Sequence, residues 1–436
     1  MKTEIIEAYH RILKKELIAA MGCTEPIAIA YAAAKAREVL GCIPQKCEVH
    51  CSGNIIKNTQ AVTVPKSGGL KGIAVAATLG IVGGDASRDL QVLESVEECH
   101  ISTAKELLKK DFCTCKLKPG VSNLYILIKL TSGLDEAIVE IRDSHQNVTY
   151  IEKNGKCIFS SRKDDVNTLH GEADADKTLL NVKDILKYAD CLSDQGVLNL
   201  LEYQIQCNQA IAEEGLQNFY GAQVGKILSI GIDGSKRENL RAVAKAYAAA
   251  GSDARMSGCP MPVVINSGSG NQGLTITLPI KVYADAYGYS KKRLLQSLAV
   301  GNLISIHQKR YIGSLSAYCG ASSAACGAGA AIAYLLNETL SKEELAQCVA
   351  DTITNTIATI GGMVCDGAKA SCAAKIATAV DCAITAYEMS TKGQVFRSGE
   401  GLVAADVEGT IKNIGRMGRE GMAATDVEIL HTMLEG

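Results

Sequence analysis

Residues 314–329 read SLSAYCGASSAACGAG, and residues 361–375 read GGMVCDGAKASCAAK. Both stretches consist mostly of alanine, glycine and serine, a composition that fits closely packed helices. Cys319, Cys365 and Cys372 stand in them without bulky neighbours. Soft thiolates on a small-residue backbone suit zinc or an iron–sulfur cluster. If three thiolates hold a four-iron cluster, one iron keeps an open position and can act as a Lewis acid toward a substrate.

These cysteines also have a simpler explanation, in which all of them are packing residues in tight Ala/Gly helix contacts. Cys326 follows Cys319 by seven residues in equally small-residue company, so it is an alternative ligand. The chain contains no CxxC pair, which removes the common zinc-finger patterns. Gly367, between Cys365 and Cys372, would let the backbone bend toward a cluster. We interpret the three cysteines as ligands of a metal cluster.

Length and composition exclude several classes of protein. The 436 residues allow two or three domains, and the apolar fraction of 47% is enough for a large core. The net charge is −2, whereas phosphate binding needs a basic face. The chain has no Trp and four Phe, which is too few for base-stacking platforms. We therefore expect no nucleic-acid partner.

The 17 cysteines bear on the cellular compartment. Residues 1–22 are charged and amphipathic and lack the uninterrupted apolar segment of a signal peptide. No run of about 18 apolar residues without charge occurs, so no membrane span is expected. Many cysteines in a chain that is not exported indicate reduced thiols. The sequence therefore predicts a cytoplasmic protein.

The fold class predicted from the sequence is α+β, with a mainly helical Ala/Gly-rich catalytic region and an inserted strand-rich subdomain. Residues 160–178 are polar and indicate a linker or an exposed loop. Four strand-like runs mark the subdomain: YILIKL at 125–130, AIVEIR at 137–142, VTYIEK at 148–153 and KCIFSS at 156–161. The predicted division is 1–84 for the N-terminal part of the catalytic domain, 85–165 for the inserted subdomain, and 166–436 for the helical cluster-binding and catalytic domain.

Three glycine-rich segments are candidate anion cradles. They are INSGSGNQG at 265–273, KSGGLKG at 66–72 and SGNIIKN at 52–58. Serial glycines and serines before a helix expose backbone N–H groups that can bind a carboxylate or a phosphate, although ordinary glycine-rich loops are common. We expect the segments to converge around a small anionic ligand. The candidate substrate-binding residues are Ser67, Gly68, Asn266, Ser267, Ser269, Asn271 and Gln272.

Cys23 is the candidate catalytic residue. Thr24 can cap a helix whose first turn holds Glu25 and Pro26, because acidic side chains and proline are both favoured there. Cys23 then lies just before a helix N-terminus, a position that lowers the pKa of a thiol. An isolated cysteine is more often structural, but this position favours reactivity.

Several motifs together resemble the L-cysteine desulfidase family, which is similar to the α-chain of iron–sulfur L-serine dehydratases. The resemblance covers nearly the whole chain, and GCTEP and MVCDGAKASC are its most specific parts. The motifs are MGCTEPIAIAYA at 21–32, SGNIIKN at 52–58, VPKSGG at 64–69, SGSGNQG at 267–273, LSAYCGAS at 315–322 and GGMVCDGAKASCAAK at 361–375.

The resemblance implies an oxygen-sensitive [4Fe–4S] cluster and β-elimination from L-cysteine, which yields pyruvate, ammonia and sulfide. Cys23 matches the family cysteine that takes the α-proton or serves as the resting ligand of the fourth iron. The dehydratase relatives can close the fourth site with a cysteine at the chain end. This sequence ends HTMLEG, so the fourth ligand stays open and Cys326 stays an alternative ligand. The positions that match the family's cluster ligands are Cys319, Cys365 and Cys372.

Other functions stay open. L-Serine fits the same chemistry as L-cysteine, and relatives suggest a homodimer. A pyridoxal-phosphate lyase could use Lys236 as its Schiff-base residue, because SGSGNQG resembles the asparagine loop of such enzymes. The chain lacks a downstream GGGG loop and an alternating strand–helix pattern, which count against that reading. A non-catalytic metal-storage or redox-sensing protein would explain the thiols but not the anion cradles.

Overall fold

The computed structural model describes residues 1–162, 176–313 and 315–435, and it confirms the α+β class. Most of the predicted linker at 160–178, together with the predicted domain boundary after residue 165, lies outside the described residues. In these ranges no helix has both the length and the apolar character that a membrane crossing requires.

Most of the strands belong to one mixed sheet. Its strand order is β3-β2-β4-β5-β6-β7; β2 and β3 run parallel, and the other neighbours run antiparallel. The four predicted runs form β4 to β7, while β1 and β8 pair separately. The predicted subdomain shares its sheet with β2, which precedes residue 85. The described strands are β1 Ala19–Met21, β2 Lys46–Cys51, β3 Cys113–Leu117, β4 Tyr125–Ser132, β5 Asp135–Arg142, β6 Val148–Lys153, β7 Lys156–Ser160 and β8 Pro262–Val264.

Helices make up most of the rest of the described chain. Short 3₁₀ segments occupy Ala86–Gln91 and Arg237–Asn239, and one π turn occupies Met417–Gly421. The α-helices are α1 Thr3–Glu16, α2 Thr24–Leu40, α3 Gly53–Thr59, α4 Ile73–Gly83, α5 Glu98–Leu108, α6 Val182–Asp190, α7 Gln195–Gln217, α8 Val224–Ser229, α9 Leu240–Met256, α10 Gly270–Tyr287, α11 Lys291–Ile312, α12 Gly320–Leu336, α13 Lys342–Ile360, α14 Cys372–Ser390, α15 Val407–Arg416 and α16 Ala423–Glu435.

The helical region is built around α12. Its residues are buried without a break from Ala321 to Leu335, as expected for a helix that is apolar on every side. It packs against α10, α11, α13 and α14. A Cβ added at Gly327 would lie 2.3 Å from the carbonyl oxygen of Gly301 in α11. The small residues therefore set the short distance between these helices, and the prediction of closely packed Ala/Gly helices is confirmed.

Helix α2 joins the sheet to the helical region. It packs on α4 and on strands β4 and β5. A Cβ on Gly80 of α4 would lie 2.2 Å from the carbonyl oxygen of Ala30, so glycine permits this contact as well. Helix α4 is itself buried along most of its length. The sheet and α4 together fix α2, and so they fix the position of its first turn.

One segment differs from its prediction. SGNIIKN at 52–58 was expected to be a glycine-rich loop, but it forms most of α3. Ser52 lies at the N-cap position, and Ile55 and Ile56 are buried in the core. The apolar pair thus favours a helix over an open loop.

Candidate active site

A cavity of about 100 Å³ lies where four helices begin. Cys23 is the N-cap residue of α2, Asn271 lies in the first turn of α10, Cys319 is the N-cap residue of α12, and Cys372 is the first residue of α14. All four line the cavity. Helix N-termini carry unpaired N–H groups and the positive end of the helix dipole, so the cavity favours anions. Its volume suits a small molecule rather than a single water.

Backbone pairing brings Cys319 and Cys365 together despite the long segment between them. The amide of Cys319 donates to the carbonyl oxygen of Met363 at 3.0 Å, and the amide of Cys365 donates to that of Ala317 at 2.6 Å. The two cysteine segments thus form a short antiparallel bridge in front of α12 and α14. This bridge holds both cysteines at the cavity wall.

A tight turn leads from Cys365 to Cys372. Gly367 has φ +94°, and a Cβ there would lie 2.5 Å from the carbonyl oxygen of Lys57. Lys57 is almost fully buried, and its Nζ donates to the carbonyl oxygen of Cys365 at 3.2 Å and to Asp426. Helices α3 and α16 therefore support the turn, and Gly367 bends the backbone as predicted.

The donor set fits an iron–sulfur cluster. Among the described residues no three His, Cys, Asp or Glu side chains could hold a single metal ion. Cys319, Cys365 and Cys372 line the same cavity, and cysteine thiolates are the ligands that hold iron–sulfur clusters. Burial, followed by the charge of Cys365, raises the pKa of Cys319 to about 12, and burial also raises that of Cys372. Such thiols become thiolates when they gain a metal ion.

Two lysines line the cavity on the thiol side. Lys375 donates to the carbonyl oxygen of Val364 at 2.9 Å and pairs with Asp366. Lys309 is buried, and burial lowers its pKa to about 8. The negative charges of Cys365 and Cys319 act in the opposite direction and limit this decrease. Cationic side chains near the thiols offset the negative charge that three thiolates would bring.

Cys23 faces the same cavity but is not a thiolate. Its Sγ donates to Oε2 of Glu25 at 3.1 Å. Burial raises the pKa of this thiol well above its ordinary value, and the charge of Glu25 adds to the effect. The predicted lowering by the helix N-terminus is therefore wrong. Thr24 is the first helical residue of α2 rather than its cap. Cys372 packs against the small apolar cluster that contains Cys23.

Glu25 was not among the predicted site residues, and it is a buried carboxylate at the cavity. Nδ2 of Asn58 donates to its Oε1 at 3.2 Å, and Nε2 of His145 lies 3.8 Å from the same oxygen. Burial opposes ionisation, but the neighbouring imidazole and the hydrogen bond from Cys23 outweigh it and lower the pKa of Glu25 to about 2. His145 comes from the turn between β5 and β6, so the sheet contributes to the site.

Arg255 is a second residue that the sequence analysis missed. It lies near the end of α9, lines the cavity and is only 2% exposed. Its Nη1 donates to Oδ1 of Asn271 at 3.1 Å. Gly270 leaves room for the guanidinium, since a Cβ there would lie 2.3 Å from Nε. Arginine is rarely buried, and no motif marks this one.

The structure brings most of the predicted site residues together and leaves three apart. Ser67 is buried and donates to the carbonyl oxygen of Leu70 at 2.9 Å, and neither it nor Gly68 lines the cavity. Asn266 is also outside the lining, and its Nδ2 donates to Oδ1 of Asn302 at 3.0 Å. The predicted residues that line the cavity are Cys23, Ser267, Ser269, Asn271, Gln272, Cys319, Cys365 and Cys372.

Two residues of the alternative interpretations lie away from the cavity. Cys326 is fully buried inside α12, and its Sγ contacts the carbonyl oxygen of Ile353 at 3.7 Å. Lys236 is exposed beside a 3₁₀ segment. Neither lines the cavity. These positions count against Cys326 as a cluster ligand and against Lys236 as a Schiff-base residue.

Comparison with known proteins shows the family of the chain. The serine dehydratase alpha chain family matches residues 88–431. The UPF0597 protein of Finegoldia magna is 47% identical over 428 residues, which cover 98% of this chain and 99% of that protein. That of Lachnoclostridium phytofermentans is 46% identical over 97% of this chain and 98% of its own. That of Treponema denticola is 42% identical, over 98% of each.

The chain belongs to the serine dehydratase alpha chain family, a family of lyases. The match covers most of the chain, including the three cysteines of the bridge and the turn. It begins after α2, so Cys23 and Glu25 lie outside the matched range.

Proposed function

We propose that the protein catalyses iron–sulfur-dependent β-elimination from L-cysteine, which yields pyruvate, ammonia and sulfide. The observation that carries the proposal is the lining of one cavity by Cys319, Cys365 and Cys372 together with Cys23 and the start of α10. Three thiols alone would suit metal storage. Their position beside helix N-termini and a buried Cys–Glu pair supports a substrate site.

The reaction needs an electrophile at the leaving group, a base at the α-carbon and a site for the carboxylate. When bound by Cys319, Cys365 and Cys372, a [4Fe–4S] cluster supplies a Lewis-acidic iron with an open position. The residues at the start of α10 present backbone N–H groups and side-chain amides to the carboxylate: Ser267, Ser269, Asn271 and Gln272.

Cys23 is the proposed base for the α-proton. Because burial holds it as a thiol, it must lose its proton before it can accept one. Oε2 of Glu25, 3.1 Å away, accepts the hydrogen bond of this thiol and orients it, but with a pKa of about 2 it is too weak a base to take the proton. A bound cluster would add positive charge beside Cys23 and so favour its thiolate form. After the Cα–H and Cβ–S bonds break, aminoacrylate and sulfide leave. Aminoacrylate tautomerises to an imine, and water hydrolyses that imine to pyruvate and ammonia.

L-Serine is the second candidate substrate. The name of the matching family favours it, and the residues described above serve equally for an oxygen leaving group. The two substrates differ by one atom, so discrimination would rest on the open iron that a cluster held by Cys319, Cys365 and Cys372 would supply, and such an iron would favour a sulfur leaving group. The homodimer and the cytoplasmic location stay predictions, which light scattering and cell fractionation would check.

The test begins with anaerobic purification and reconstitution with iron and sulfide. We expect a brown protein that releases sulfide and pyruvate from L-cysteine, faster than it releases pyruvate from L-serine, and that loses activity in air. Cys319→Ser should lose most of the iron and at least 100-fold in rate, because a ligand is missing. Cys326→Ser is the matched control, because Cys326 is a buried cysteine seven residues after Cys319. This variant should keep its iron.

Three results would contradict the proposal. Failure of the wild-type protein to take up iron and sulfide would remove the cluster. Full iron content in Cys319→Ser would remove the ligand assignment. Bound iron without release of sulfide or pyruvate would favour the non-catalytic metal or redox role.

A further inference from the structure

Four cysteines lie on two neighbouring strands of the sheet. Cys47 and Cys51 belong to β2, and Cys113 and Cys115 belong to the parallel strand β3 at the edge of the sheet. All four are free thiols, and none of them lines the cavity. Alternate residues of a strand share a face, and partners in register share that face too, so the four thiols lie on one face of the sheet. They form a second group of thiols, separate from the proposed cluster ligands.

The register of the two strands places Cys47 directly opposite Cys113. Neighbouring strands lie about 4.8 Å apart, which is within the range of about 4.4–6.8 Å that separates the Cα atoms of a disulfide. The two thiols also interact, because the hydrogen bond that Cys47 donates to Cys113, together with burial, raises the pKa of Cys47 well above its ordinary value. The backbone therefore already has the spacing that a disulfide between these two cysteines needs.

Cys51 and Cys115 form a second pair with a different backbone geometry. Their thiols interact as well, since the hydrogen bond from Cys51 lowers the pKa of Cys115. Cys115, however, is opposite Val49, and Cys51 is opposite Leu117. This offset of two residues separates the Cα atoms of the pair by about 8 Å, too far for a disulfide unless the backbone moves. The second pair thus has the contact between thiols without the spacing for a bond.

The two thiols of the opposed pair differ in their access to solvent. Cys47 is fully buried, whereas Cys113 is partly exposed on the edge strand. A small reagent can therefore reach Cys113 first, and Cys47 is the adjacent thiol behind it. An accessible thiol with a neighbouring thiol in bonding position is the arrangement that thiol–disulfide exchange requires.

We propose that Cys47 and Cys113 form a reversible cross-strand disulfide by exchange with a low-molecular-weight disulfide such as oxidised glutathione. The inference goes beyond the proposed function and depends neither on the cluster nor on the elimination reaction. In a reducing compartment, where the sequence predicts the protein to reside, such a bond forms transiently and responds to the thiol–disulfide balance.

The exchange takes two steps. Sγ of Cys113, as a thiolate, attacks one sulfur of the reagent, the S–S bond of the reagent breaks, and one glutathione leaves as a thiol. Sγ of Cys47 then attacks Sγ of Cys113, the mixed disulfide breaks, and the second glutathione leaves. The two cysteines lose two protons and two electrons, which the reagent takes up as it becomes two thiols.

The test exposes the full-length reconstituted protein, without oxygen, to glutathione buffers with a rising share of the oxidised form. Free thiols are then blocked with N-ethylmaleimide, and tryptic peptides are analysed by mass spectrometry without reduction. Trypsin releases both cysteines of each strand in one peptide, CEVHCSGNIIK at 47–57 and DFCTCK at 111–116. These two peptides should become linked as oxidised glutathione increases and should separate again when reduced glutathione is restored.

Single variants assign the bond to one pair. Cys47→Ala and Cys113→Ala should each lower the amount of linked peptide by about tenfold or more, because one of the two bonded sulfurs is missing. Cys51→Ala and Cys115→Ala are the matched controls, one on each strand, and should keep the wild-type amount. If Cys47→Ala does not fold, Cys113→Ala tests the same bond at the partly exposed position.

Three results would overturn the proposal. The first is the absence of linked peptide from the wild-type protein in the most oxidising buffer. The second is a link that persists in Cys47→Ala or Cys113→Ala, since the bond would then belong to other cysteines. The third is a link that reduced glutathione does not reverse.

Discussion

Substitution of Gly367 by alanine tests whether the turn between Cys365 and Cys372 depends on a missing side chain. The residue has φ +94°, where an L-residue pays about 1–2 kcal/mol. The new Cβ would also lie 2.5 Å from the carbonyl oxygen of Lys57, a backbone atom that cannot rotate away. Overpacking of this kind costs about 1–3 kcal/mol. Gly367→Ala should therefore lower the free energy of unfolding by about 2–5 kcal/mol.

Two other glycines separate the two contributions. Gly399 has φ +92° but open space around its Cβ position, so Gly399→Ala should cost only about 1–2 kcal/mol. Gly362 has neither a positive φ nor a close neighbour, and Gly362→Ala should change the free energy by less than about 0.5 kcal/mol.

Urea unfolding followed by far-UV circular dichroism gives the three free energies, and iron content after reconstitution reports on the turn itself. Gly367→Ala should take up much less iron than the other two variants, because the displaced turn carries Cys365 and leads to Cys372. If Gly367→Ala is as stable as Gly399→Ala, the close contact with Lys57 does not exist. If it is equally stable and also fully loaded with iron, the reasoning about the turn is refuted.

Two further predictions concern buried charges. Lys57→Met leaves the carboxylate of Asp426 without its buried partner and should lower the free energy of unfolding in urea by about 3–5 kcal/mol. The double variant Lys57→Met/Asp426→Leu should recover most of that loss. Equal stability of the two variants would contradict this prediction. The pKa of Glu25 is lowered to about 2, so its ionised form contributes on the order of 3 kcal/mol to the free energy of unfolding. This contribution is present above the unfolded pKa near 4.5 and is lost as the pH falls toward 2. Glu25→Gln should flatten the pH dependence of stability between 4.5 and 2, and an unchanged slope would show that the carboxylate is not held in its ionised form.

Local patterns predicted a large part of the fold. The runs that became β4 to β7 alternate or concentrate β-branched residues between turn signals, and those signals act over a few residues. SGNIIKN was misread because its glycine suggested a loop, whereas the burial of Ile55 and Ile56 in α3 decided the outcome.

The candidate site was only partly predictable, because its remaining parts depend on contacts between distant segments. The cysteine composition pointed to Cys319, Cys365 and Cys372, but the bridge that joins their segments involves ordinary backbone groups. Glu25 was visible beside Cys23, yet its low pKa depends on burial and on His145, which the sheet supplies. Nothing near Arg255 in the sequence distinguishes it from a surface arginine. Its buried position depends on Gly270, whose missing Cβ leaves room for the guanidinium.

The electrostatics of the cavity connect the thiols with the proposed substrate. Its described lining contains three cationic side chains, Arg255, Lys309 and Lys375, and one carboxylate, Glu25. Four helix N-termini add partial positive charge. Lys375 already pairs with Asp366, so with neutral thiols, whose pKa values burial raises, the positive charge comes mainly from Arg255 and the helix N-termini. Thiolates formed on metal binding, or a bound carboxylate, would offset this charge. Cluster and substrate should therefore each stabilise the fold, so that thermal unfolding of the reconstituted protein shifts upward on addition of L-alanine.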